Sequence, residues 1–237
     1  MTQPLVQRAG LVELRSATVR FGAKVALRDV SLTVARGERI ALVGANGSGK
    51  STLLRAVHGL VPLAGGERAA TAARVAMVFQ RPFMLRLSLR ANVELGLMLQ
   101  RMPRAQRHER AMRALERVGL AAEAGRIGRV LSACQQQRAA LARAWAVQPD
   151  LMLLDEPTAS LDPTAKREVE SLIEEFAAQG ITVVMSSHNL GQVKRLATRV
   201  IYLEHGRLLA DVPTARFFDG PLPEEAMLFL KAELPWG

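Results

Sequence analysis

Residues 44–51 read Gly44-Ala45-Asn46-Gly47-Ser48-Gly49-Lys50-Ser51, the spacing G-x-x-x-x-G-K-[ST], and each fixed position has a chemical use. The glycines let the backbone turn tightly and bring its N–H groups against phosphate oxygens. Lys50 supplies a point charge for terminal phosphates, and the Ser51 hydroxyl suits Mg²⁺. An apolar strand, Ile40-Ala41-Leu42-Val43, enters the loop, and a helix candidate over 51–57, beginning Ser51-Thr52, leaves it. That helix would turn its N-terminus toward the anion. Gly44, Asn46, Gly47, Ser48, Gly49, Lys50, Ser51 and Thr52 are therefore the expected phosphate-binding residues.

A second group sits about a hundred residues on. Leu151-Met152-Leu153-Leu154 carries two acids, Asp155 and Glu156, to a strand end. Unpaired buried charge is costly, so a buried strand ending in two carboxylates has a use for them. Asp155 is the expected Mg²⁺ residue, directly or through water. Glu156 is the expected residue that orients or deprotonates an attacking water.

These residues need a frame. A chain of 237 residues holds one large α/β domain, and 49% hydrophobic content supports its core. With 4% aromatic residues, aliphatic side chains must fill that core. A single cysteine excludes an intramolecular disulfide framework and a cysteine metal cluster. No run of 18 apolar residues predicts a membrane span, and Met1-Thr2-Gln3-Pro4 is not a secretory signal, so a cytoplasmic protein is expected. The net charge of +10 reads as arginine spread along the chain. It permits nearness to an anionic membrane surface.

The first 43 residues alternate like strands, with turns at Gly22 and Arg36-Gly37, and predict an antiparallel sheet. Strands are also expected at Val75–Phe79, Leu151–Leu154, Ile181–Met185, Val200–Leu203 and Arg207–Ala210. Residues 81–147 read as helical, with Ser88 capping a helix to Leu99, Pro103 starting another, and a third from Ser132 to about Val147. Apolar strands alternating with helices predict a mainly parallel, covered sheet. Short helices are expected from Pro213 onward.

Further residues fall into a known order. The chain resembles the ATP-binding subunits of ABC transporters over nearly all of its length. The resemblance implies a P-loop NTPase α/β fold with an N-terminal antiparallel β subdomain and a helical subdomain at 81–147, inserted between 1–80 and 148–237. Gln80, at its strand end, is similar to the family's glutamine loop, contacting Mg²⁺ or the water. Ala159-Ser160-Leu161-Asp162 resembles the loop that crosses a dimer interface. Ser186-Ser187-His188 resembles the switch histidine on the γ-phosphate, and Phe21 matches the aromatic that stacks on adenine.

One segment departs from the pattern. Where the family has Leu-Ser-Gly-Gly-Gln, this chain has Leu131-Ser132-Ala133-Cys134-Gln135. The resemblance makes Ser132 and Gln135 contacts to ATP held by another subunit. If that approach is tight, each side chain replacing a glycine would cost about 1–3 kcal/mol; if the backbone N–H groups still point correctly, the loss is small. A helix N-terminus would favour ionisation of Cys134, making it a candidate redox position.

The resemblance implies ATP and Mg²⁺ as cofactors, ATP hydrolysis as the activity, and a second copy of the chain in an ATP-sandwich dimer. It also implies a membrane permease docked on 81–147 and, indirectly, a solute-binding protein, with no nucleic-acid partner. The location it implies is cytoplasmic, on the inner face of the cell membrane through the permease. Arg81-Pro82-Phe83-Met84-Leu85-Arg86, residues 186–196, Phe217-Phe218 and Glu233-Leu234-Pro235-Trp236 look most like the tungstate-import branch. Another small-anion importer, an amino-acid importer or a weakly hydrolysing cassette are the alternatives.

Overall fold

The computed structural model describes residues 10–71, 73–159 and 161–233. Residues named above that lie outside them are Met1–Pro4, Ser160 and Leu234-Pro235-Trp236.

Strands β1 (Gly10–Phe21) and β2 (Lys24–Ala35) form an antiparallel hairpin. Gly22 turns it at φ 58°, in the left-handed region that favours glycine. A third strand, β4 (Gly65–Ala70), pairs with the other edge of β1. The sequence disguised this strand. Its residues are mostly exposed and carry no apolar alternation, so the Gly65-Gly66 pair reads as a breaker. Pairing with β1 makes it a strand. The backbones come so close that a Cβ on Gly66 would lie 2.3 Å from the Arg15 carbonyl oxygen.

The larger sheet has six strands: β3 (Arg39–Val43), β5 (Val75–Val78), β6 (Leu151–Asp155), β7 (Thr182–Ser186), β8 (Arg199–Glu204) and β9 (Arg207–Pro213). Their order is β5-β6-β7-β3-β8-β9, parallel except for the β8–β9 hairpin. The parallel strands are buried on both faces, which is why they read as unbroken apolar runs. Ile40, Leu42, Leu151, Leu153 and Ile201 point into one cluster with β1, β2 and the helix α1 (Lys50–His58). Ala41, Val43, Met152, Leu154 and Val200 point into the other. Each such Leu, Ile or Val contributes about 1.5–3 kcal/mol by leaving water.

The second cluster is covered by α2 (Leu89–Leu99), α3 (Arg104–Arg117), α4 (Ala133–Ala146), α5 (Pro163–Ala178) and α6 (Leu190–Leu196). Ser88 caps α2 by accepting from the Ala91 N–H, and Pro103 precedes α3. Two short helices, α7 (Thr214–Asp219) and α8 (Glu224–Glu233), close the described chain.

Charge is not spread evenly along this frame. Residues 81–147 hold thirteen arginines and four glutamates, with no lysine or aspartate. The net charge of +10 therefore resides almost wholly in this helical stretch, because the remainder of the chain is nearly balanced.

Candidate functional site

The loop between β3 and α1 is built from glycine geometry. Gly44, Gly47 and Gly49 have φ values of 140°, 81° and 114°. At Gly44 a Cβ would stand 2.1 Å from the Leu203 carbonyl oxygen, so only glycine fits there. Lys50 folds back into the loop it follows. Its Nζ donates to the carbonyl oxygens of Gly44 at 2.7 Å and Ala45 at 3.1 Å. Burial pushes its ammonium below the ordinary lysine value, while the Glu156 and Asp155 carboxylates pull it back up. Ser48 Oγ is buried with no hydrogen-bond partner among the described residues. A buried hydroxyl left unpaired inside a phosphate-type loop has a donor to offer a ligand.

Strands β3, β6 and β7 are neighbours, so the loops at their carboxyl ends meet. Ser51 Oγ donates to Asp155 Oδ1 at 2.9 Å, and Ser186 Oγ donates to the same oxygen at 2.8 Å. The Ser186 hydroxyl also accepts from the Glu156 N–H at 2.9 Å. That contact holds Glu156 at φ 46°, a left-handed conformation that is uncommon for a residue with a side chain. Gln80, just past β5, donates from Nε2 to Glu156 Oε2 at 2.9 Å. His188 Nδ1 lies 3.2 Å from Glu156 Oε1. Both oxygens of Glu156 are thus engaged, each by a different loop.

A cleft of about 970 Å³ opens over this arrangement. Of the residues expected from sequence, Phe21, Asn46, Gly47, Gly49, Lys50, Ser51, Thr52, Gln80, Glu156 and His188 line it. Gly44, Ser48 and Asp155 sit beneath as support. Phe21 is 49% exposed, a large aromatic face left to solvent. Lys24, Arg28 and His205 also line the cleft, and sequence reading missed them. A turn at His205-Gly206 is readable from its glycine, but nothing local shows that the Gly206 N–H donates to the Ser48 carbonyl. The bridging role of Ser186 was likewise invisible until β6 and β7 were paired.

Ser132 and Gln135 are not among the residues lining this cleft. They form a reciprocal capping box at the start of α4. Ser132 Oγ accepts from the Gln135 N–H at 3.2 Å, and the Ser132 N–H donates to Gln135 Oε1 at 3.0 Å. Ala133 and Cys134 open the helix with ordinary negative φ, so neither strains the backbone. Burial pushes the Cys134 thiol up, against the opposing charge of Arg138 and against the pull toward ionisation expected of a helix N-terminus. Asp162 has a local task. It caps α5, accepting from the Thr164 and Ala165 N–H groups.

The family profile described as "ABC transporter" matches residues 27–159, from β2 through the loop after Glu156. This chain belongs to the ABC transporter family. As an ABC ATPase it has relatives of similar length. It is 36% identical over 236 residues to the glutamate/aspartate import ATP-binding protein GltL of Escherichia coli (strain K12), covering 93% of this chain and 98% of GltL. It is 35% identical over 227 residues to the glutamine transport ATP-binding protein GlnQ of Geobacillus stearothermophilus, covering 89% and 93%. Among solved structures, the dimeric post-hydrolysis state of the ATP-binding cassette MJ0796 bound to ADP and Pi superposes with a TM-score of 0.79 at 29% identity. That match covers 86% of this chain and 98% of MJ0796. The ABC-ATPase fold, with its antiparallel β sheet beside a mixed sheet and helices, agrees with the fold class expected from sequence.

Proposed function

We propose that this ABC ATPase binds Mg-ATP in the cleft and hydrolyses it to drive a membrane importer. The observation that carries the reading is the contact chain Ser51–Asp155–Ser186–Glu156–His188, joined by Gln80, beside a lysine seated among left-handed glycines. Lys50, with the loop N–H groups, neutralises charge on the transferring phosphoryl group. Phe21 offers its exposed face to adenine. Glu156 orients or deprotonates water, and its two engaged oxygens keep it from swinging away.

The donors fit Mg²⁺. A hydroxyl and a carboxylate meet at 2.9 Å, and Mg²⁺ prefers a few hard oxygens completed by phosphates and water. When bound, the ion would offset charge developing on the phosphates. Ser51 and Asp155 would hold it, with Gln80 close by.

Ser132 and Gln135 lie off the cleft, so a complete site takes them from a second copy in an ATP-sandwich dimer. The dimeric state of MJ0796 supports this. Residues 81–147 form the helical subdomain that receives a permease, which keeps the chain on the inner face of the membrane. No helix among the described residues is long and apolar enough to cross a bilayer itself.

Two cargo readings rest on different observations. Residues 81–86 and 186–196 favour tungstate or a related oxyanion. The names of GltL and GlnQ favour an acidic or amide amino acid. None of these residues would touch cargo, which is chosen elsewhere in the transporter. The test is phosphate release by the purified chain, alone and with a candidate permease and binding protein. Activity abolished in Lys50→Ala and Glu156→Gln is expected. Equal activity in all three chains overturns the ATPase reading. Uptake of labelled tungstate against labelled glutamate then separates the cargoes.

A further inference from the structure

Gln192 lies in α6, outside the cleft, and none of it reaches solvent. Its carboxamide is fully engaged. Oε1 accepts from Ser187 Oγ at 2.7 Å, and Nε2 donates to Thr158 Oγ1 at 3.0 Å and to Glu170 Oε1 at 3.2 Å. The three partners come from three places: the loop after β7, the loop after β6, and α5. Arg195 closes the cluster on the second Glu170 oxygen at 2.7 Å.

The positions along the chain give the cluster its meaning. Ser187 immediately precedes His188, and its hydroxyl also accepts from the Asn189 N–H at 3.0 Å, so His188 is flanked on both sides. Thr158 stands two residues beyond Glu156, whose carbonyl accepts from the Ala159 N–H. One buried amide therefore ties together the two loops whose side chains meet at Glu156 and His188. A hydrocarbon side chain would fill this space without the cost of burying an amide. What only the amide supplies is fixed direction toward both loops at once.

We infer that Gln192 is a positioning residue, holding the Glu156 and His188 loops at the separation hydrolysis needs. The inference rests on the hydrolytic reading of Glu156 and His188 given above. The test uses the full-length chain with Mg-ATP, carrying Gln192→Leu, Thr158→Val or Thr158→Ser, each checked for folding by thermal melting. ATP affinity, read from nucleotide-induced stabilisation, stays within about twofold of wild type, because neither residue lines the cleft. Turnover falls by about 10- to 100-fold in Gln192→Leu and Thr158→Val, the scale of an ångström-level misplacement. Thr158→Ser, which keeps the hydroxyl, recovers turnover to within about twofold. In a His188→Ala background Gln192→Leu adds less than about twofold, because the two act as one unit.

Wild-type turnover in folded Gln192→Leu and Thr158→Val overturns the inference, as does an equal loss with and without His188. If Gln192→Leu does not fold, the Thr158 pair decides in the same way. A His188→Ala chain that hydrolyses at the wild-type rate instead marks failure of the hydrolytic reading, and the inference falls with it.

Discussion

The carboxyl end of β6 and β7 and the N-terminus of α4 are built on opposite plans. Around Asp155 and Glu156 each carboxylate is engaged within the chain, by Ser51, Ser186, Gln80 and His188. At the start of α4, the side chains of Ser132 and Gln135 each bond the other's backbone, and both residues are off the cleft. The first region is pre-organised by the fold. The second is a well-capped helix start outside the cleft. Sequence departures accordingly fall where the chain's own packing tolerates them: Ala133 and Cys134 sit on a helical backbone, whereas Gly44 admits no side chain.

Substitutions can break this contrast. The largest effects belong to the pre-organised end. Glu156→Gln is expected to retain ATP binding and lose turnover by about 10²–10⁴-fold, the range for a general base, in a phosphate-release assay. Gly44→Ala combines a 2.1 Å contact with φ 140°, and is expected to lower unfolding free energy by more than about 3 kcal/mol in urea titrations. At the α4 end the effects shrink. Ser132→Ala removes the cap and is expected to cost about 1 kcal/mol by the same titration. Ala133→Gly with Cys134→Gly is expected to cost about 1 kcal/mol per site in helix stability, yet to raise ATPase rate or ATP-dependent dimerisation. Unchanged values in both assays would mean that a second copy accommodates the side chains.

The smallest effect is electrostatic and lies at neither end. The Arg74 N–H, aided by the Arg36 guanidinium, holds the Asp150 carboxyl below its ordinary value. A carboxyl depressed on folding stabilises the fold above its unfolded pKa, near 3.9, and the gain is lost as pH falls through the lower folded value. Asp150→Asn is expected to be less stable at neutral pH and to show a flatter fall in stability below about pH 4. An acid-unfolding series on both chains measures this.

What the sequence revealed follows from what is local. The loop at 44–51, the acids after β6 and the caps Ser88 and Ser132 are written in adjacent residues. The parallel strands were readable because burial on both faces makes them continuous apolar runs. β4 was not, since an exposed strand is defined by its partner rather than by its own residues. The roles of Ser186, Gln192 and Gly206 stayed hidden for the same reason: each acts through contacts far along the chain. The charge of 81–147 was legible by counting, and was missed by treating arginine as uniform along the chain.

The His205-Gly206 turn fastens two bodies that could otherwise slide. Its Gly206 N–H is held by the Ser48 carbonyl, and its Gly206 carbonyl takes the Arg28 N–H from β2. The sheet that carries Phe21 is thereby stapled to the loop that carries Lys50. A nucleotide bound as proposed above would meet one bracket at its base and at its phosphates.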